Sequence, residues 1–401
     1  MPKATEPDGE PDIARLSVLV ACASVLQVAE ALLPYPLPGV RLGLANMVTL
    51  IALVEISSGN AFRLALLRSL TSSLILGTFL TPSFVLSFSG AMVSAAIMVL
   101  FYRLSRVVPW LRFSLVGISV AGSVSHVLAQ LIVVYLLFVR NQGVLLLWPW
   151  LALSGVVMGA ITGVVAIEVC KRLDTRAPGA VPAPGPVRVL APQGHYIRRD
   201  SPVHRLGPEV KLVAVVLLAL AVVILRSVVL YAAVLAALGF ITILARVRFS
   251  ALFYNLRRLA TFIAFTFFLP LVFTPAGEVL FRFGPLVFTV QGLTTGGILT
   301  LRIVVLFFAT SLLALTTSPE QVASGLERLL APLKLVGVSS RPLARVLALS
   351  WSFFPVLWQR AQQMVRNGTG RKRGWATVVS FLPDLVTELY LEAEQMTARD
   401  S

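Results

Sequence analysis

Charge is what this chain of 401 residues has least of: 13% of its residues are charged, against about 25% in an ordinary soluble domain. Acidic charge is scarcer still, 18 Asp and Glu against 34 Lys and Arg, for a net charge of +16. Cysteine is nearly missing. Cys22 and Cys170 stand far apart and lack metal-ligand spacing, which excludes a disulfide framework and a zinc site. No phosphate loop of the GxxxxGK[S/T] type occurs, because none of Lys3, Lys171, Lys211, Lys334 and Lys372 follows that glycine pattern. The first residues, Met1 to Asp12, are polar and of mixed sign, without a basic leader region or a small-residue cleavage site. They therefore read as a tail before a first span that stays in place.

What is present in quantity is apolar. Hydrophobic residues make up 57% of the chain and the mean hydropathy is +0.87. They come in runs of roughly 17–25 residues, long enough at about 1.5 Å per residue to cross a hydrocarbon core about 30 Å thick. The fold class expected is all-α: a polytopic membrane protein of two membrane domains, with about ten or eleven spans plus cytoplasmic coupling helices. The lipid bilayer is its first partner. The basic excess sits in short inter-helix segments, as the positive-inside rule predicts, so no nucleic-acid partner is inferred.

Six runs fill the first part, at about 13–33, 44–56, 65–80, 84–102, 115–138 and 145–169. The second is short and is expected to extend into its flanks. Composition then changes. Residues 173–210 hold Pro178, Pro182, Pro184, Pro186, Pro192, Pro202 and Pro208 with Arg176, Arg188, Arg198, Arg199 and Arg205, an extended basic linker. Further runs follow at 212–225, 228–244, 259–273 and 293–315. The domains expected are a tail at 1–12, a six-helix unit at 13–172, the linker at 173–210 and a second membrane and coupling unit at 211–401. An even number of spans puts both ends of the first unit on one side, and the basic linker makes that side the cytoplasm. Arg103, Arg106 and Arg112 then face the cytoplasm, as do Arg246, Arg248, Arg257 and Arg258, while 274–290 is an outward loop. The expected setting is a bacterial inner membrane with both termini cytoplasmic.

Toward the end, Ser318-Pro319-Glu320-Gln321 opens a helix: Ser318 caps, Pro319 suits the first helical position and Gln321 completes a capping box. Val322, Leu326, Leu329 and Leu330 share one face, and Pro332 ends the helix. A second helix is expected over about Pro342–Arg366, apolar at first (Leu343, Val346, Leu347, Leu349, Trp351, Phe354) and polar later (Gln359, Arg360, Gln362, Gln363, Arg366). It reads as leaving the membrane or a groove, or as lying on lipid headgroups.

With Ser-Pro-Val-His-Arg-Leu-Gly-Pro-Glu-Val-Lys-Leu at 201–212, Thr-Thr-Ser-Pro-Glu-Gln-Val-Ala-Ser-Gly-Leu-Glu-Arg-Leu-Leu-Ala-Pro-Leu at 316–333 and the stretch 347–366, residues 201–401 resemble the T component of energy-coupling factor vitamin transporters. In that family two coupling helices end in short Ala-Arg-Gly motifs whose arginines dock on a pair of cytoplasmic ATPases. The resemblance implies that Arg366, in Val365-Arg366-Asn367-Gly368, and Arg399, in Ala398-Arg399-Asp400, hold those positions. Both motifs depart from the family pattern. It also implies two ABC-type ATPase subunits as partners, so that ATP acts through separate chains and this chain carries no cofactor of its own. From the residues alone, either arginine reads as a solvated charge.

Residues 11–172 carry Pro38-Gly39-Val40-Arg41-Leu42-Gly43-Leu44-Ala45-Asn46, Ser87-Phe88-Ser89-Gly90 and Gly117-Ile118-Ser119-Val120-Ala121-Gly122, with His126 and Gln130 beyond. These segments resemble the Gx transporter family, also known as heptaprenyl diphosphate synthase component I. Six spans and this loop-helix start are similar to the substrate-binding S components of the same transporters. A charge at the centre of a membrane helix costs on the order of 2.5–3.5 kcal/mol on insertion scales, so it tends to face protein, water or a ligand. Glu30, Arg68 and His126 lie in or near spans, and His126 and Gln130 are one turn apart on one face. Asn46 follows a Gly-Pro-rich turn whose backbone admits close approach. Glu30, Arg41, Asn46, Arg68, His126 and Gln130 are therefore the candidate substrate-binding residues. The plainer readings are that Glu30 pairs with Arg41 or Arg68, that His126 and Gln130 are interhelical glue, and that Arg63 snorkels. Ser17 and Ala21, with Ala14 before them, give the first helix a small-residue face for a neighbouring helix; in S components that face meets the T component.

The prenyl-synthase label raises an enzyme as the rival reading. That chemistry needs paired acidic clusters to hold magnesium against a diphosphate. The six aspartates, Asp8, Asp12, Asp174, Asp200, Asp384 and Asp400, include no two within three residues of each other. The expectation is a transport component without catalytic or metal-ligating residues. It would move a small vitamin-, flavin- or isoprenoid/quinone-precursor-like molecule, with a non-catalytic accessory subunit of a polyprenyl diphosphate synthase as the alternative.

Overall fold

The structure, a computed structural model, describes residues 10–32, 43–76, 78–108, 110, 112–139, 142–175, 199–225, 227–250, 252, 260–274, 277–284, 286–330, 341–368 and 382–391. Arg41, Arg257, Arg258, Pro332, Arg399 and most of the proline-rich linker lie outside these.

The first half consists of α1 (Glu10–Leu32), α2 (Leu44–Glu55), α3 (Ser58–Leu76), α4 (Pro82–Val107), α5 (Leu115–Val133) and α6 (Trp148–Thr175). The short second run does not extend backward. Gly43 caps α2 in a left-handed conformation, φ 71°, which breaks helical continuity where only glycine sits without strain. Instead α3 starts early, at Ser58, with Ser57 Oγ accepting from Asn60 N, and so brings both Arg63 and Arg68 into one helix. Past Val133 the chain runs as a π-helical turn, Val134–Val139, then a 3₁₀ turn, Gln142–Leu147. The sequence run 115–138 reads as one helix because a π-turn keeps the same apolar composition.

α5 and α6 pack closely along a glycine stripe on α6. A Cβ built on Gly155, Gly159 or Gly163 would lie 3.0, 2.7 and 2.9 Å from Cα of Val124, Val120 and Val116 respectively. The falling numbers on α5 against rising numbers on α6 make the pair antiparallel. Ser119 and Thr162 hydroxyls meet across it at 3.1 Å. Without a hydrophobic drive between helices in lipid, this kind of close small-residue contact is what holds them.

The second half opens with a four-residue helix, α7 (Pro202–Arg205), inside what the sequence reads as linker. It continues through α8 (Pro208–Ile224), α9 (Val228–Leu244), α10 (Ala260–Phe273), α11 (Val290–Thr316), α12 (Pro319–Leu330), α13 (Arg341–Gly368) and a terminal helical segment, 382–391. Between α10 and α11, where a loop is expected, the chain makes an antiparallel hairpin of β1 (Val279–Phe283) and β2 (Leu286–Thr289). Phe281 and Phe288 stack across it at 4.4 Å. Outside the β1 strand, whose every side chain is exposed, helix dominates.

Among the described residues four segments are long and apolar enough to cross a membrane: 82–107, 115–137, 143–173 and 290–316. The other spans expected from the sequence are shorter or more polar. Together with the helical content this makes the chain an all-α polytopic membrane protein.

The halves share one core. α1, almost wholly buried from Leu16 to Val28, is surrounded by α2 and α3 on its own side and by α13 from the second half. Val346, Leu347, Phe353, Phe354, Leu357, Trp358 and Ala361 of α13 join the cluster that α1 builds. Here α13 leaves a protein groove: its apolar face is covered by α1. Ser17 and Ala21 are fully buried. The segment 382–391 closes the arrangement, with Arg360 paired to Glu388 and Arg172, at the end of α6, paired to Asp384.

The capping box forms as expected: Ser318 N donates to Gln321 Oε1 at 3.0 Å and Gln321 N to Ser318 Oγ at 3.3 Å. Val322 is buried with Leu212, Val215 and Leu313, but Leu329 is 37% exposed, so the apolar face of α12 is narrower than its sequence suggests. Ser318→Ala removes one of the two caps and is expected to cost about 1 kcal/mol. That loss would be read as earlier proteolytic cleavage after α11, with the parent's cleavage rate in the variant counting against it.

Candidate functional site

Five of the six substrate-binding candidates line a single cavity in the first half. Glu30, Asn46, Arg68, His126 and Gln130 share its wall with Gln27, Ser87, Ser123, Ser154 and Met158. The empty space among these residues comes to about 550 Å³ when the part open to the surroundings is counted. Arg41 lies outside the described residues.

Each wall residue is placed by the helix that carries it. Glu30, near the end of α1, turns its carboxylate to the start of α2: Oε1 accepts from Gly43 N at 2.8 Å and Oε2 from Leu44 N at 3.2 Å. These are two of the amides that a helix leaves unsatisfied at its N-terminus, where the helix dipole also favours negative charge. Asn46 is one turn further along α2. Its Oδ1 accepts from Arg68 Nη2 at 2.6 Å, and Arg68 Nη1 donates to Gln27 Oε1 at 3.0 Å. Gln27 Nε2 in turn donates to Ser87 Oγ on α4 at 3.2 Å. One relay thus ties α1, α2, α3 and α4 together. Arg68 is 3% exposed and Glu30 5%, and Glu30 is the opposite charge that acts on the guanidinium. Arg68 Nε has no hydrogen-bond partner.

His126 and Gln130 complete the ring from α5, with the Gln130 amide nitrogen 3.1 Å from His126 Nε2, which accepts when the amide donates. Gly90 of α4 lies directly against this imidazole; a Cβ there would come within 2.8 Å of Nε2. Gly90 is thus what lets the ring turn toward the cavity. Arg63, by contrast, is exposed and donates to Asn60 Oδ1 at 3.4 Å, away from the cavity.

The cavity occupies one end of the bundle. It uses the last turns of α1 and α5 and the first turns of α2, α4 and α6. Arg103, Arg106 and Arg112 belong to the other end, between α4 and α5.

A second polar contact inside the membrane helices lies between the halves. Arg302, in the middle of α11 and 4% exposed, donates from Nη1 to the carbonyl of Leu137 in the π-helical turn at 3.1 Å. Its Nε is 3.5 Å from the hydroxyl of Tyr231, which donates to carbonyls at the end of α8 (Val222 and Leu225 O at 2.8 and 2.9 Å). The same rule that picks out Arg68 from the sequence applies to Arg302. Lys211 plays a related part, with Nζ donating to Thr316 O at 2.9 Å and so capping α11.

Arg366 lies two residues before the end of α13, within its last turn. At the start of the second half, outside the spans, Arg205 grips Asp200 through Nε and Nη2, both at 2.8 Å. That pairing holds the Asp200 carboxyl below the usual range.

A family model described as heptaprenyl diphosphate synthase component I matches residues 19–169, and one described as cobalt transport protein matches residues 199–398. The chain is also similar to several energy-coupling factor transporter transmembrane proteins. With the one from Heliobacterium modesticaldum it shares 35% identity over 180 residues, 44% of this chain and 66% of the relative. The figures for Listeria innocua are 30% over 205 residues, 50% of this chain and 77% of the relative, and for Bacillus subtilis 32% over 216 residues, 51% and 80%. Each alignment takes in about half of this chain.

Proposed function

The chain belongs to the energy-coupling factor transporter transmembrane protein family, and from that we propose that it fuses a substrate-binding half to an energy-coupling half. Residues 13–172 would hold a small molecule, of the vitamin, flavin or isoprenoid and quinone-precursor kind. Residues 211–401 would transmit the closure of two separate ABC-type ATPase subunits, with ATP bound on those chains. The observation that carries this reading is the continuous core between α1 and α13. The helix whose last turn bears Arg366 is packed directly on the first helix of the half that holds the cavity, so a displacement of α13 moves α1.

Orientation follows from charge. With the basic segments around Arg103–Arg112 and the linker in the cytoplasm, both termini and the end of α13 are cytoplasmic, and the cavity lies toward the outer face of a bacterial inner membrane. Arg366 and Arg399 are the residues proposed to dock on the ATPases, by charge-assisted hydrogen bonds of the kind Arg makes well.

The test is a pull-down of the detergent-solubilised full chain from its native membrane, with Arg366→Ala and Arg399→Ala alongside. ABC-type ATPases should co-purify with the parent, and tenfold less should be retained by either variant. Recovery of a soluble prenyl synthase subunit in place of ATPases would reverse the conclusion and make the chain that enzyme's membrane partner, as the first family description words it.

A further inference from the structure

We propose that the cavity of the first half takes a small, partly apolar molecule by its carboxylate, and that Arg68 is the residue that receives it. This deepens the reading of 13–172 as the substrate-binding half and rests on it.

The inference starts from what each charge in the wall is already doing. Glu30 is turned away into the start of α2, where both its oxygens accept backbone amides and the helix dipole offsets its charge. Arg68 feels Glu30 as an opposite charge but spends its hydrogen bonds elsewhere. Its two hydrogen bonds go to neutral amide oxygens, those of Gln27 and Asn46, and Nε is buried without a partner. A guanidinium donates up to five hydrogen bonds in a planar fork suited to a carboxylate. Among apolar helices a buried guanidinium whose fork is only partly bonded is expensive, and a bound anion lowers that cost. The second N–H of the Gln130 amide adds a donor around the same space, while the Ser87 and Ser123 hydroxyls can donate or accept.

Two features set the size and charge of the guest. The formal charges in the wall, Arg68 and Glu30, cancel, so one added negative charge is tolerable where a dianionic phosphate would leave a large excess. The remaining wall is apolar or small: Ala45, Val127, Gly155 and Met158. Met158 is an adaptable apolar surface against which a ring or short chain can lie. The chemical class is therefore a monocarboxylate on a compact apolar body.

Four matched probes separate this class from its neighbours: benzoate, benzamide, benzylamine and phenyl phosphate, which share a ring and differ in charge. Each is titrated into the purified full chain in detergent near neutral pH and the unfolding temperature is followed. Benzoate should raise it saturably, and the other three should not. In Arg68→Gln the apparent affinity for benzoate should fall at least tenfold, with partial recovery in Arg68→Lys, which restores the charge without the fork. The unmodified protein decides the matter even where Arg68→Gln does not fold. An equal shift from benzamide, benzylamine or phenyl phosphate, no shift from any probe, or benzoate binding that survives Arg68→Gln overturns the proposal. ATPase co-purification is read separately: benzoate binding without ATPases keeps this site and sinks the transporter, and the reverse sinks the site alone.

Discussion

Gly159→Leu is expected to be the most damaging single change in the first half of the protein. Its Cβ alone would stand 2.7 Å from Val120 Cα and 3.0 Å from Ser119 O. Both are backbone atoms and neither can rotate away, so α5 and α6 must separate along their length. Overpacking of a fitted interior costs about 1–3 kcal/mol, and a bulky side chain against backbone belongs at the top of that range. The contact of Ser119 with Thr162, next to Gly159 on the same seam, is lost with it. The cavity should suffer too, since Gly155 and Met158 of α6 face His126 and Gln130 of α5 across it. The measurement is the unfolding midpoint of the purified chain, with Gly159→Ala as the graded control. A midpoint for Gly159→Leu within a degree or two of the parent would show that the seam is not close-packed.

Arg302→Met is expected to loosen the two halves from one another. Methionine is shorter but close in volume and suits the membrane, so the change removes the hydrogen bonds with little loss of volume. It takes the Arg302 donor away from the Leu137 carbonyl in the π-helical turn. Stranding a buried acceptor costs about 1–3 kcal/mol. The loss should fall on the contact between halves rather than on either half. The check is cleavage at a protease site placed between residues 176 and 198, followed by affinity recovery of the first half. The parent should retain the second half through the purification and Arg302→Met should lose a large share of it. Equal retention in both would mean that the α1–α13 core alone holds the halves and that Arg302 is a local fastening.

The polar wall of the cavity was readable from the sequence for one reason. A charge or an amide in an apolar run must find protein or ligand, so Glu30, Arg68, His126 and Gln130 stand out without knowledge of the fold. Their convergence was less readable, because it depends on where four helices cross. Gln27, Ser87, Ser123 and Ser154 carried little contrast, since small polar residues are frequent in membrane helices. Arg302 meets the same rule as Arg68 but was passed over, and its partner, a backbone carbonyl, leaves no trace in a sequence. The four-residue spacing of Gly155, Gly159 and Gly163 was a usable signal that was passed over. The hairpin at 279–289 was not, because its strands are short and, with all of β1 exposed, lack the alternation of a half-buried sheet. α13 showed its greasy and polar portions, yet whether lipid or protein covered the greasy part was beyond any one-dimensional pattern.

The burial of α1 against α13 also bears on stoichiometry. Because both helices belong to one polypeptide, their contact reforms as an intramolecular event, at an effective concentration on the millimolar scale for a flexible tether. A separate copy of the first half, added in trans at micromolar levels, would compete for α13 at a disadvantage of about a thousandfold. On the function proposed above, each coupling half would thereby be committed to one cavity and give up the choice among alternative binding subunits that separate chains leave open.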